Sequence, residues 1–325
     1  MWNPFSLVVF VLLAGATCAH AQESGAQYPS KPIRIIVPYA AGGGADAAAR
    51  LVGKHLNEAW QQPVVVENRA GADGRVGTEA VIRSAADGYT LLVSPENQFT
   101  IIPHLFPNAT VNAVRDLEPV VSVARGPLVL VVNSNVAAYS LADLIRVAKA
   151  SPGALTYGTS GNGSIHRMAA ESMSRMAGIE MLHVPYKGTS ASAQDLAGGQ
   201  LQVLFGQLPA IQPLVKAGKA RILAVTSSQR FSMLPDTPSI SETLPGWVEL
   251  GTSFGVLVPK GTPQPIVDKL NAEVGKGVQS ADVRERLAAS GMIPGGGTQA
   301  QYRAEMQRIY DIVGKIIRDA HIKAE

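Results

Sequence analysis

The stretch IRIIVPYAAGGGADAAARLV, from Ile33 to Val52, decides how the chain is read. Its apolar, β-branched first part stops at Gly42-Gly43-Gly44, and apolar residues then resume at helical spacing through Leu51, Val52, Leu56 and Trp60. Such a pattern predicts a strand, a tight loop and a helix, with the loop at the helix N-terminus. The first turn of a helix leaves N–H groups unpaired and carries roughly half a positive charge, and glycine lets a ligand approach that backbone closely. The position therefore suits an anion. The device recurs at LTYGTSGNGS, Leu155 to Ser164, ahead of a helical run through Met168, Met173 and Met176. Two such loops predict two facing half-sites.

Outward from these stretches, strand and helix patterns alternate. Val64 to Val66 is the next strand, and Glu67 to Gly74 a loop that leads into a helix through Val76, Ala80 and Val81. The strand Tyr89 to Val93 follows, with Ser94, Glu96, Asn97 and Gln98 at its carboxyl end, where open α/β sheets place ligands. Val120 to Val123 and Leu128 to Val132 are apolar runs separated by Arg125-Gly126-Pro127, and Ser140 with Asp143 predicts a helix start. The alternation continues to Ile222–Thr226, lapses between Phe231 and Pro245, and resumes with a strand at Phe254 to Val258. Thr262 and Pro263 read as the cap and first position of the next helix. Thr298 and Gln301 open a last helix whose Tyr302, Met306, Ile309, Val313 and Ile317 form one apolar stripe, which we read as core packing. The fold class expected is α/β, with mostly parallel sheets flanked by helices.

With 325 residues, 46% hydrophobic and 16% charged, the chain can form two α/β domains and is not disordered. The net charge of +3 comes from scattered Lys and Arg, so neither a nucleic-acid face nor a polybasic membrane patch is visible. Leu7 to Ala16 is apolar but shorter than the ~20 residues that span a bilayer, and Ala19-His20-Ala21 suits signal cleavage after Ala21, which implies export. No Lys or Arg precedes the apolar run, so a retained N-terminal anchor is the other reading. The sole cysteine, Cys18, lies inside this segment, with lipidation there as a second reading. A mature chain would have no disulfide and no thiolate metal site.

The fragment Gly42-Gly43-Gly44-Ala45-Asp46-Ala47 also fits G-x-G-x-x-A after a strand, with Glu67 about twenty residues on, as a dinucleotide-binding oxidoreductase would have. Tyr39-Ala40-Ala41 between strand and glycine, the export signal and the unexplained second loop count against it. Ser160 sits in Gly158-Thr159-Ser160-Gly161-Asn162, which is not G-x-S-x-G, and His55, His104, His166, His183 and His321 form no ligand pattern. His55, on a mostly apolar helix face, reads as a packed histidine. Neither catalysis, nor a metal, nor a cofactor is expected.

The chain resembles the periplasmic substrate-binding proteins of tripartite tricarboxylate transporters, the Bug receptors, from Tyr28 to Glu325. The likeness rests on VPYAAGGGAD (Val37–Asp46), VENRAGADG (Val66–Gly74), DGYTLL (Asp87–Leu92), PGALTYGTSGNGS (Pro152–Ser164), HVPYKG (His183–Gly188), LAVTS (Leu223–Ser227) and LPDTPS (Leu234–Ser239). It implies a two-lobed, type II Venus-flytrap fold with crossings near Arg125 and Gly251. Lobe 1 would be 28–125 and 252–325, completed by the C-terminal helices, and lobe 2 would be 126–251. It also implies a monomeric carrier that holds a small carboxylate between the loops and hands it to a membrane permease.

By that resemblance Tyr39, Ala41, Gly42, Gly43 and Asp46 belong to the first half-site, and Ser160, Gly161, Gly163 and Ser164 to the second. Ser94, Asn97 and Tyr186 are further candidates. Arg167, in the first turn of the second helix, could add a cation for a second carboxylate or be a solvated surface arginine, and Asp46 could instead bond within its own loop. The chain departs from the family pattern at His166-Arg167-Met168, Gly206 and Ser253, so a relative's ligand does not transfer. Micromolar binding needs about 8 kcal/mol, which about four to six backbone or hydroxyl donors at roughly 1.5–3 kcal/mol each can supply after association costs.

Overall fold

A computed structural model describes residues 27–108, 112–186 and 188–323. The signal segment and Cys18 lie outside the described residues. Eleven strands follow in chain order: β1 (Ile33–Val37), β2 (Val64–Asn68), β3 (Thr90–Pro95), β4 (Leu117–Pro127), β5 (Val129–Asn133) and β6 (Thr156–Thr159). Then come β7 (Leu182–Pro185), β8 (Val203–Gly206), β9 (Ala220–Val225), β10 (Gly251–Pro259) and β11 (Ile293–Gly296). They form two sheets, ordered β11-β4-β10-β3-β1-β2 and β7-β6-β8-β5-β9. This is the two-lobed α/β architecture expected.

The sheets are mixed. β1 pairs in parallel with β2 and β3, but β10 runs antiparallel to both β3 and β4, and β11 antiparallel to β4. In the second sheet only β5 opposes its neighbours β8 and β9. The reversed strands β5 and β10 adjoin the passages of the chain between sheets. β4 enters the second sheet through Leu128, and β10 returns beside it with Gly251 opposite Pro127 and Ser253 opposite Arg125. Arg125-Gly126-Pro127 therefore does not separate two strands, as its turn-like composition suggests, but completes β4.

Packing follows strand alternation. Along β5, Val129 and Val131 enter one apolar cluster while Leu130 and Val132 enter the cluster on the other face. In the first sheet Ile33, Ile35 and Val37 pack with the helices Gly44–Trp60 and Gln264–Val278, whereas Ile36 faces Tyr302 and Met306 of the last helix, Gln299–Asp319. That last helix has the capping box of Thr298 and Gln301 read from the sequence. Thr262 does not cap its helix: its hydroxyl donates to the Pro259 carbonyl, and Pro263 occupies the cap.

At about 1.5 Å per residue the last helix is about 30 Å long, enough to reach both sheets. Tyr302 and Met306 pack under the first, while Val313, Ile316 and Ile317 join Met173 and Trp247 in the core of the second. The stripe is core packing, but it belongs to two cores.

Candidate functional site

Between the sheets lies a cavity of about 840 Å³. It is walled by the first loop, the second loop, the ends of β3, β4 and β10, the end of β11 with Gly297, and one face of the last helix. Gly43 and Gly163 both line it, so the two loops do face one space.

The first loop is almost bare backbone. Gly43 is the N-cap of the helix Gly44–Trp60 and offers no side-chain cap, which leaves the first-turn N–H groups of Gly44 and Ala45 on the cavity wall. Gly42 has φ +86°, a left-handed conformation that glycine adopts without Cβ strain. Asp46 braces the loop from behind, its Oδ2 accepting from the Gly42 amide at 3.0 Å and from Arg50 Nε at 2.9 Å. The Arg50 bond holds its carboxyl below the ordinary carboxylate range. The Tyr39 hydroxyl accepts from Gln98 Nε2 at 2.7 Å and Asn97 Nδ2 at 3.2 Å, so Tyr39 lines the cavity with its polar end already engaged. Burial raises its pKa.

The second loop is tied by side chains. Ser164 caps the helix Ile165–Ala177, accepting from the Arg167 amide at 3.3 Å while its hydroxyl donates to the Gly161 carbonyl at 2.7 Å. Ser160 Oγ is 2.8 Å from His166 Nδ1, and Thr159 Oγ1 is 2.7 Å from His183 Nε2. His166 is 4% exposed, and burial lowers its pKa to about 4, which keeps it neutral at pH 7. Burial first, then the Arg167 charge, lowers His183 to about 4 as well.

Of the residues singled out from the sequence, Tyr39, Gly43, Glu96, Asn97, Ser160, Gly161, Gly163 and Ser164 line the cavity. Ala41, Gly42 and Asp46 shape the first loop from outside the wall. Ser94 is fully buried, with its hydroxyl on the Pro95 carbonyl. Tyr186 Oη donates to Asp195 at 2.7 Å, and burial first, then that bond, raises it to about 12. Arg167 does not line the cavity, nor is it the solvated surface arginine that was the other expectation: its side chain is only 15% exposed, with Nη1 donating to Asn162 Oδ1 and Nε 3.8 Å from Glu171. One residue along a helix is a rotation of about 100°, so the position that faces the cavity is His166 rather than Arg167. Glu67, the residue a dinucleotide fingerprint would need free, is paired with Arg69 at 2.6 Å.

Reading from the sequence missed Arg125, Gln207, Glu249, Thr252, Tyr302 and Glu305, and treated His166 and Ser253 only as departures from a pattern; all line the cavity. Tyr302, Glu305 and Ile309 are spaced i, i+3 and i+7, so they share one helix face. That polar position within the apolar stripe was the available signal. Among the described residues, no group of His, Cys, Asp and Glu could hold a metal ion, and no helix is long and apolar enough to cross a membrane.

Two α/β lobes joined by paired crossing strands, with helix N-termini facing one cavity between them, define the periplasmic-binding-protein fold. The chain belongs to the tripartite tricarboxylate transporter receptor family, whose model matches residues 48–322. It is similar to the protein BugT of Bordetella pertussis, 36% identical over 312 residues that cover 94% of each chain. Among solved structures it is similar to R. palustris Rpa4515 with adipate, with TM-score 0.80 and 33% identity over 91% of this chain and 99% of that one. It is also similar to MatC from Rhodopseudomonas palustris with bound malate, with TM-score 0.75 and 27% identity over 89% and 100%.

Proposed function

We propose that this chain is a periplasmic receptor, exported with cleavage after Ala21, that closes on a small carboxylate and delivers it to the membrane permease of a tripartite transporter. The observation that carries this reading is that Gly43 and Gly163, from different lobes, border one cavity. The carboxylates seen with Rpa4515 and MatC support the ligand class. The protein binds as a monomer without covalent chemistry, cofactor or nucleic acid. Lobe 1 is 28–125 and 252–325 and lobe 2 is 126–251, with the end of the last helix packed into the core of lobe 2. The ligand shifts an open–closed equilibrium through its better contacts with the closed state.

Mass spectrometry of solutes released from the purified protein on mild denaturation tests the ligand class. A small carboxylate should leave the protein, and a purely neutral or cationic solute would overturn the reading. X-ray scattering at saturating ligand should show compaction. An unchanged radius of gyration would refute closure.

A further inference from the structure

His166 is enclosed and neutral, and meets Ser160 through Nδ1. The other side chain that hydrogen-bonds the ring is Gln207, which falls to Nε2. Gln207 follows β8 as the N-cap of the helix Leu208–Lys216, yet gives that helix no side-chain bond. Its amide turns elsewhere: Thr189 Oγ1 donates to its Oε1 at 3.0 Å, and its Nε2 donates to Thr252 Oγ1 at 3.2 Å. Ser160, His166, Gln207 and Thr252 all line the cavity, so a hydrogen-bonded chain runs from the second loop to the returning strand β10. His166 and Gly206, the neighbour of Gln207, are both places where the sequence departs from the family pattern, so the contact belongs to this chain's own sequence.

A neutral imidazole has one N–H and one bare nitrogen, and a serine hydroxyl has a single proton. With the ring proton on Nε2, Nδ1 takes the Ser160 proton, and the hydroxyl turns only lone pairs towards an anion. With the ring proton on Nδ1, the ring donates to Ser160 Oγ, and the Ser160 proton is free for a ligand. The group at Nε2 decides between the two. The Gln207 oxygen already accepts from Thr189 and one of its two N–H groups goes to Thr252, which leaves the second N–H for the ring. A donor left without an acceptor is costlier than an amide oxygen with one lone pair idle, so Nε2 is the accepting nitrogen.

We propose that Gln207 is a positioning residue: by donating to Nε2 it holds His166 as the Nδ1–H tautomer, and thereby aims the Ser160 hydroxyl proton at the carboxylate of the ligand. This rests on the carboxylate-receptor reading and deepens it.

Histidine-selective nitrogen NMR of the unliganded protein at neutral pH tests the tautomer, the His166 signals being assigned by their loss in His166→Gln. The wild type should show Nδ1 protonated and Nε2 bare, and Gln207→Leu should show both tautomers. Calorimetry with the tightest of succinate, glutarate and adipate tests the consequence. Gln207→Leu should weaken binding about fivefold in the wild type but by less than about 1.5-fold when Ser160 is already alanine, because the effect passes through that hydroxyl. A wild-type proton on Nε2 overturns the proposal even if the leucine variant fails to fold, and so does an equal loss in both backgrounds, which would mean that Gln207 meets the ligand directly. In either case the receptor reading stands. If none of the three acids binds the wild type at millimolar concentration, the carboxylate reading itself fails and the proposal falls with it.

Discussion

The two loops that face each other across the cavity solve one problem by different means. The first is glycine backbone with an uncapped helix N-terminus, braced from behind by Asp46. The second is a hydrogen-bonded network in which Ser164 caps its own helix, Ser160 meets His166, and Arg167 is fastened to Asn162. The difference teaches that one half-site offers bare amide donors while the other offers hydroxyls and amides whose positions are fixed before a ligand arrives. A ligand held mainly by the first would lose little from side-chain changes in the second, whereas a joint grip requires both.

The largest expected effect follows from filling the bare loop. Gly43 has φ −84° and ψ 174°, open to any L-residue, and an added Cβ would come no nearer than 3.7 Å to Ala40 O. Gly43→Asp therefore caps the helix with a carboxylate of its own, which occupies the N–H groups and repels an anion. Affinity should fall at least about 100-fold by calorimetry, with the thermal midpoint unchanged or raised. A lowered midpoint would mean that the loop serves folding rather than binding.

In the second loop, Ser160→Ala removes a cavity-lining hydroxyl and leaves His166 Nδ1 without its partner. Affinity should drop about 10-fold, and stability by about 1–2 kcal/mol in urea denaturation. If stability alone changes, the second loop is scaffold and the comparison breaks.

The buried histidine sharpens the contrast further. The pKa of His166 lies near 4 in the folded protein and near 6.5 when unfolded, so below pH 6.5 the unfolded state takes up the proton first. Stability is therefore intact above 6.5 and lost as the pH falls toward 4, by at most about 1.4 kcal/mol per unit. In His166→Gln the denaturation midpoint should decline less over this range; an identical decline would remove His166 as the cause.

The smallest effect is expected at Arg167. Arg167→Ala should change affinity less than about threefold and leave its salt dependence untouched. A larger or salt-sensitive loss would return the guanidinium to the site.

The first loop was legible because a glycine cluster at a strand–helix junction has few other uses, and the second because it repeats that pattern. Strand direction was not legible: β5 and β10 read as apolar runs like the parallel strands β1 and β3, yet each runs antiparallel to both strands beside it, at the places where the chain passes between lobes. Arg125 was hidden by the turn-like Gly126-Pro127 beside it. Tyr302 and Glu305 were hidden because a helix stripe reads as one core face, while this helix passes beneath one lobe, past the cavity and into the other. Arg167 misled because a first-turn position fixes proximity to the helix end but not the direction in which the side chain points.

Both loops are expected to hold the same ligand. Backbone amide NMR during titration with the tightest-binding acid tests it most directly. The resonances of Gly43, Gly44, Gly161 and Gly163 should shift together and saturate at one ligand concentration. If either pair stays unmoved while the other saturates, the joint grip is contradicted.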